Sequence, residues 1–484
     1  MKEFASITKL TATITLTITT LLFTHVVQAA PKIQHWDTAN GLGVYFVPAD
    51  QLPMLDIELV FAGGSARDGD KPGVAMLTSG ILNKGADGLN ADELAEAFES
   101  VGAQYSASSG MERSTLGLRT VTLKDAQTKA IETWLKVLGK PEFPEKDFNR
   151  SKKQALIGLQ AEKQNPGSIA SKAFYENLYG KHPYASPEKG TKDSINAITI
   201  ADLKDFYSEH YVAKNGTLVI VGDITRENAQ ALADKVSRAI KTGEKAASIP
   251  KVTPLMEAKT VRINFPSSQS HVYLGQTGNK RGDKDYFTLY LGNHVLGGSG
   301  FTSRLMKEIR VKRGLSYSVY SYFSPQRELG PYLVGLQTKN KQVDEAISVS
   351  RDELTKFLKD GPTNEELDQS KKNITGGFPL RTASNADIAS YISMIGFYGL
   401  PLDYLDTFSK KINKISREDV MDAYKRRVHP EKMLTIIVGQ QDNNEKDAQP
   451  ANEENKENKE NKENKENANT KSETKAVAAP VPAE

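Results

Sequence analysis

Between residues 42 and 121 apolar and polar positions alternate in short runs, and beyond them the apolar residues recur every three or four positions. Runs 42–48, 55–61, 103–109 and 113–121 carry the period of two that lays one strand face on a core. Helical periods fall at 73–83 and 91–101, then at 124–138, 145–163, 167–178 and 199–210, and the apolar run 216–222 closes the series as a strand. Asn90-Ala91-Asp92-Glu93 supplies an N-cap for the second of these helices.

The pattern then repeats. INAITIADLKDFYSEHYVAKNGTLVIVGDI starts at Ile195 and INKISREDVMDAYKRRVHPEKMLTIIVGQQ at Ile412, an offset of 412 − 195 = 217. Their strand ends, Val221-Gly222 and Val438-Gly439, keep that offset, and Ser151 and Ser370 in FPEKDFNRSKK and PTNEELDQSKK differ by 219. A near-constant offset across several elements implies two homologous halves and not a many-repeat solenoid. The second half runs from a strand at 259–265 to one at 433–438. Strands mixed with helices predict an α+β fold in which each half is a mainly antiparallel sheet packed with helices. The expected organisation is an N-terminal domain over 30–240, a Gly- and Pro-bearing linker at 241–257, and a C-terminal domain over 258–441.

The chain ends read differently. Lys2 and Lys9 precede an apolar, threonine-rich run to Val27, and Val27-Gln28-Ala29 offers small residues for cleavage. This predicts a signal peptide over 1–29 and an exported, periplasmic protein. No later run has the ~20 apolar residues that a membrane span requires. Residues 442–484 carry the repeat ENKENKENKENKENAN and too little apolar surface to offset chain entropy, which predicts a disordered tail.

Composition narrows the chemistry. A net charge of +3 over 484 residues gives no bulk electrostatic case for a nucleic-acid partner. There is no cysteine, so disulfides, thiolate metal sites and a cysteine nucleophile are excluded. The seven histidines include no pair at i, i+4.

Gly64-Ser65-Ala66-Arg67-Asp68, Pro72-Gly73-Val74-Ala75, Asn83-Lys84-Gly85, His182-Pro183-Tyr184 and Val221-Gly222-Asp223 together resemble the pitrilysin/insulinase family of zinc peptidases, in its processing-peptidase-like branch. The resemblance covers roughly residues 35–440 and implies paired α+β halves that form half of a clamshell around a peptide chamber. It also exposes a departure. The family's inverted H-x-x-E-H motif falls on Met76, Ser79 and Gly80, and its third ligand falls near Ile157 or Gly158. Zinc needs about three N or O ligands and an open water position, and the water needs a base. A thioether, a hydroxyl and a glycine supply none of this. No zinc is expected on this chain; the resemblance places it in a partner subunit that carries H-x-x-E-H.

GGSGFTSRLMKEIRVKRGLSYSVYSYF, from Gly297 to Phe323, predicts a helix capped by Thr302 or Ser303, ended by Gly314 and followed by a strand over 315–323. The resemblance implies that Arg310 and Tyr317 reach the partner's zinc site, bind the peptide backbone and support the oxyanion. From the residues alone, Arg310 also reads as one of several cations complementing a helix C-terminus, and Tyr317 as one of a row of aromatics with Tyr320 and Tyr322. Gly297, Gly298, Ser299 and Gly300 are candidate substrate contacts, where a bare backbone lets a peptide approach; no G-K-[ST] follows, so they are no phosphate loop. His182-Pro183-Tyr184 reads as a structural turn and His294, on an apolar helix, as a satisfied core histidine. Segment 103–109 reads either as a hairpin strand or as an edge for peptide addition. The function expected is a substrate-binding subunit of a heterodimeric periplasmic zinc peptidase, inactive alone. The alternative is an inert structural or chaperone-like protein of the same fold.

Overall fold

The computed structural model describes residues 32–440; the expected signal peptide and tail lie outside the described residues. In the first half, strands β1 (Gln34–Asp37), β2 (Gly43–Pro48) and β3 (Met54–Phe61) lead to a two-residue pair, β4 (Gly85–Ala86) and β5 (Leu89–Asn90). Then come β6 (Gln104–Ser109), β7 (Ser114–Val121) and β8 (Gly216–Gly222). The six-stranded sheet has the order β1-β2-β8-β3-β7-β6, with β2 and β8 parallel and its other neighbours antiparallel. Leu55, Ile57 and Leu59 alternate with Asp56 and Glu58 along β3. The apolar set is buried with Trp134 of helix Lys124–Gly139, Leu203 of helix Ile200–His210 and Leu232 of helix Arg226–Ala239. Asn90 caps helix Ala91–Glu99: its Oδ1 accepts Asp92 N and Glu93 N, and Glu93 Oε2 accepts Asn90 N.

The second half contributes β9 (Lys259–Asn264), β10 (Gln269–Thr277), β11 (Ser316–Phe323), β12 (Pro331–Lys339) and β13 (Leu434–Gly439). Read from β9, its sheet runs β9-β13-β10-β12-β11, and only β9 and β13 are parallel. The first half read from β2 runs β2-β8-β3-β7-β6, again with one parallel pair at the start. The sequence repeat is therefore a repeat of topology, and edge strand β11 is the counterpart of edge strand β6.

Each half lends a helix to the other. Helix Pro166–Tyr179 follows the first half's helices in sequence and packs on β10 and β13 of the second. Its Phe174 is fully buried, and a Cβ on Gly275 would come within 2.8 Å of the Phe174 ring. Helix Asn385–Tyr398 packs on β3 and β8 of the first half, where a Cβ on Gly396 would meet Thr217 Cγ2 at 2.6 Å. Both exchanges bring a helix unusually close to a strand, and both rely on a missing side chain.

The seam is tied by Glu112, 5% exposed, in the β6–β7 turn. Its carboxylate accepts the hydroxyls of Tyr184 (2.5 Å) and Tyr398 (2.8 Å), and Arg327 N at 3.0 and 3.2 Å. Residues 241–257 carry no helix or strand but lie along the body. Ile249 and Val252 are buried, Ala246 N donates to Asn215 Oδ1, and His182 Nε2 meets Pro250 O at 2.8 Å. Among the described residues no helix is long and apolar enough to cross a membrane.

Candidate functional site

Met76, Ser79 and Gly80, where the resemblance would place the metal motif, lie on helix Val74–Ile81, which packs against helix Glu145–Glu162. Met76 is half-buried against the first core and Ser79 is 2% exposed. A Cβ on Gly80 or on Gly158 would meet nothing within 4 Å, and Ile157 is exposed. Open space faces this helix pair, but no ligand set faces the space. Glu162, the nearest downstream carboxylate, is ion-paired with Lys189. Among the described residues, no three His, Cys, Asp or Glu side chains stand close enough to hold a metal. The donors present do not fit zinc.

What the helix keeps is its start. Asp68 is buried and accepts Gly73 N at 2.6 Å and Ala75 N at 3.0 Å, satisfying two amides of the first turn. Burial pushes the Asp68 carboxyl up to about 7 against the pull of these two amides. Sequence reasoning used Asp68 only as part of a motif. The signal it missed was an acidic residue just upstream of an otherwise uncapped helix.

The second-half segment departs from its expected form. Gly300–Thr302 is a 3₁₀ turn, and the turns at His294–Gly298 and Met306–Val311 are π-type. Neither proposed cap is made. Thr302 Oγ1 donates within the turn, to Ser299 Oγ (2.9 Å) or Ser299 O (3.1 Å), and Ser303 Oγ donates to Gly300 O, although Ser303 itself stands at the cap position and its carbonyl accepts Lys307 N. Gly314, with φ +63°, ends the segment as expected, and β11 begins at Ser316. The segment's root is fixed by Arg304, which forks onto Glu366 at 2.9 and 2.6 Å, lies 3.6 Å from Glu353 and donates to Gly361 O.

Arg310 and Tyr317 come together on this frame. The Arg310 guanidinium lies 4.3 Å from the Tyr317 ring centroid and 4.7 Å from that of Phe301, so it is flanked by two rings. Tyr317 is 79% exposed and Phe301 65%. The Arg310 side chain makes no hydrogen bond or ion pair with a described residue. The helix-end role belongs instead to Arg313, which donates to Glu308 O at 2.8 Å and pairs with its carboxylate alongside Lys312. Tyr317 also stands apart from the aromatic row: β11 shifts register between Ser316 and Val319, while Tyr320 and Tyr322 stack on each other. Ser316 Oγ pins the irregularity: it accepts Ser318 N and lies 2.6 and 2.7 Å from Ser318 O and Gln337 O, either of which takes its hydroxyl proton. The family resemblance singled out Arg310 and Tyr317 but not Phe301.

Of the glycine run, Gly297 is buried: a Cβ there would meet Ser321 Oγ at 2.2 Å and Ser321 N at 2.7 Å, so its bareness serves packing on β11. Gly298, Ser299 and Gly300 reach the surface beside Phe301. His182-Pro183-Tyr184 opens a 3₁₀ turn, and His294 is satisfied by Ser370 and Asn373, half-buried and not in the core. β6 pairs only with β7, so segment 103–109 is both a hairpin strand and a sheet edge.

Comparison with known proteins agrees with this geometry. Residues 49–192 match the family "Insulinase (Peptidase family M16)" and residues 197–374 match "Peptidase M16 inactive domain". A Helicobacter pylori protein named "Non-peptidase homolog YmxG" is 29% identical over 404 residues, covering 82% of this chain and 90% of its own length. A Bacillus subtilis protein named "Uncharacterized zinc protease YmxG" is 24% identical, covering 79% and 92%. A crystal structure described as the peptidase M16 inactive domain from Pseudomonas fluorescens superposes with a TM-score of 0.82 at 40% identity, over 85% of this chain and 98% of that one. On these matches and on its repeated α+β topology, the chain belongs to the insulinase family of peptidases.

Proposed function

We propose that this chain is the non-metal, substrate-binding subunit of a heterodimeric zinc metallopeptidase of the periplasm. Zinc, with its Lewis acidity, and the general base belong in this reading to an H-x-x-E-H subunit of the same family. This chain's residues grip the peptide. Arg310 and Tyr317 donate N–H and O–H groups to a substrate carbonyl as negative charge develops on its oxygen. Gly298, Ser299 and Gly300 allow close approach of the peptide backbone, and the free edge of β6 offers main-chain pairing. The observation that carries the reading is the half-buried Arg310 guanidinium, flanked by the exposed rings of Tyr317 and Phe301 and unpaired among the described residues.

The relative named as a non-peptidase homologue favours a second reading, a structural or chaperone-like protein without hydrolysis. Co-purification with an exported H-x-x-E-H chain, and peptide hydrolysis assayed for each chain alone and for the mixture, separates the two. Cleavage by the mixture only supports the subunit reading. Equal cleavage by the partner with and without this chain sinks it.

A further inference from the structure

A cleft of about 460 Å³, whose lining does not include Arg310, opens along the seam between the halves. It is lined by Arg113 from the first half and by Arg281, Gln326, Tyr391 and Tyr398 from the second. Its chemistry follows from which charges the fold has already satisfied. Glu112, in the lining, is taken up by the two tyrosine hydroxyls and the Arg327 amide. The two arginines are not taken up in this way. The Arg113 side chain makes no hydrogen bond or ion pair with a described residue; its acidic neighbour Glu58 accepts the Ser393 hydroxyl. Arg281 is held over the rings of Tyr398 (5.2 Å) and Tyr286 (5.6 Å), and its Nε is buried without a hydrogen-bond partner. Glu188, the other acid in the lining, makes no ion pair with a described residue; burial raises its carboxyl against the weaker pull of Lys189, whose own ion-pair partner is Glu162.

A buried guanidinium N–H without an acceptor is costly, and the acceptor that best fits a guanidinium fork is a carboxylate. The rings of Tyr391 and Tyr398 line the same space, amphipathic surface suited to a peptide chain. We infer that this cleft is a carboxylate-binding subsite, in which Arg113 and Arg281 hold an acidic side chain or the C-terminal carboxylate of a bound peptide. The peptide nature of the ligand rests on the function proposed above; the carboxylate site does not.

The test uses the full chain alone, so it reads independently of any partner. Calorimetric titration is made with glutarate and with three N-acetylated peptides. One has an internal Glu and an amidated C-terminus, one has a free C-terminus and no acidic side chain, and one is neutral and amidated. Binding of glutarate and of at least one carboxylate-bearing peptide is expected. Arg281→Gln should weaken it about tenfold or more, and Arg281→Lys by less. The internal-Glu and free-terminus arms show which source of carboxylate is preferred. Thermal melts confirm that each variant is folded, and Arg113→Gln tests the second guanidinium if Arg281→Gln is not. Equal affinities in wild type and variants, or no binding of any carboxylate probe to the wild type, overturns the site. Glutarate binding without peptide binding leaves the site standing and removes the peptide-grip reading instead.

Discussion

The Arg310 guanidinium stacks 4.3 Å from the centroid of the Tyr317 ring, joining a π-type turn to an edge strand across an irregularity in β11. An exposed contact of this kind contributes only about 0.5–1 kcal/mol to stability. Its exposure to a ligand is therefore better tested by rate than by melting. Arg310→Ala should lower kcat of the mixed peptidase complex by about 10²–10³ if it stabilises an oxyanion, with Tm of this chain nearly unchanged. Tyr317→Phe keeps the stack and removes only the hydroxyl, so its loss should be smaller. Unchanged turnover in the double variant Arg310→Ala/Tyr317→Phe would leave the pair as surface packing.

Arg304, 11% exposed at its side chain, lies between the carboxylates of Glu366 and Glu353. Removing the cation leaves two acids close together in a desolvated place. Arg304→Ala should destabilise by about 3–5 kcal/mol, measured by urea unfolding. Because Arg304 anchors the segment that carries Arg310, the variant should also raise KM of the mixed complex at temperatures where it stays folded. A loss below about 1 kcal/mol would show that the triad is solvated.

Much of the architecture was legible because it rests on periodicity and on a repeat. The 217-residue offset predicts two like halves, and strand order confirms one topology used twice. The reciprocal exchange of helices Pro166–Tyr179 and Asn385–Tyr398 was not legible. An amphipathic period says that a face is buried, not which sheet covers it. The Glu112 knot was hidden for a similar reason: its partners lie 72, 215 and 286 residues away along the chain. At the candidate site the sequence placed the helix start correctly, directly after Ser303, whose carbonyl accepts Lys307 N; the side-chain cap was not made, since a standard N-cap rule does not foresee the Gly300 turn offering its own carbonyl to the Ser303 hydroxyl.

That knot makes Glu112 a test of how the halves are held. Glu112→Ala leaves the Tyr184 and Tyr398 hydroxyls and the Arg327 amide without their acceptor. A hydrogen bond to a carboxylate contributes about 1.5–3 kcal/mol net, and relaxation and water entry at the emptied site recover part of the sum. A loss of about 2–4 kcal/mol in unfolding free energy is expected, with slower-migrating or protease-sensitive species cut near the 241–257 segment. An unaltered urea midpoint would mean that water replaces the carboxylate at no cost.

Asp68 gives stability a pH dependence of definite sign. Its carboxyl, ordinarily near 3.8, is raised to about 7 in the fold by burial, with Glu188 adding to the rise and the Gly73 and Ala75 amides opposing it. A raised acid makes the folded state bind the proton more tightly than the unfolded chain, so its stabilising contribution is complete below about pH 4 and is lost as pH climbs through about 7. Asp68→Asn keeps an oxygen for one of the amides and removes the titration. Wild type should therefore lose stability relative to Asp68→Asn between about pH 4 and 7, by an amount on the order of a few kcal/mol, read from urea midpoints at several pH values. Asp68→Ala instead removes the acceptor for both amides and should be weaker than Asp68→Asn at every pH, by about 0.5–2 kcal/mol. Parallel stability curves for wild type and Asp68→Asn would show that Asp68 titrates alike in the folded and unfolded chain, and that the first turn of helix Val74–Ile81 is capped by an ordinary ionised carboxylate.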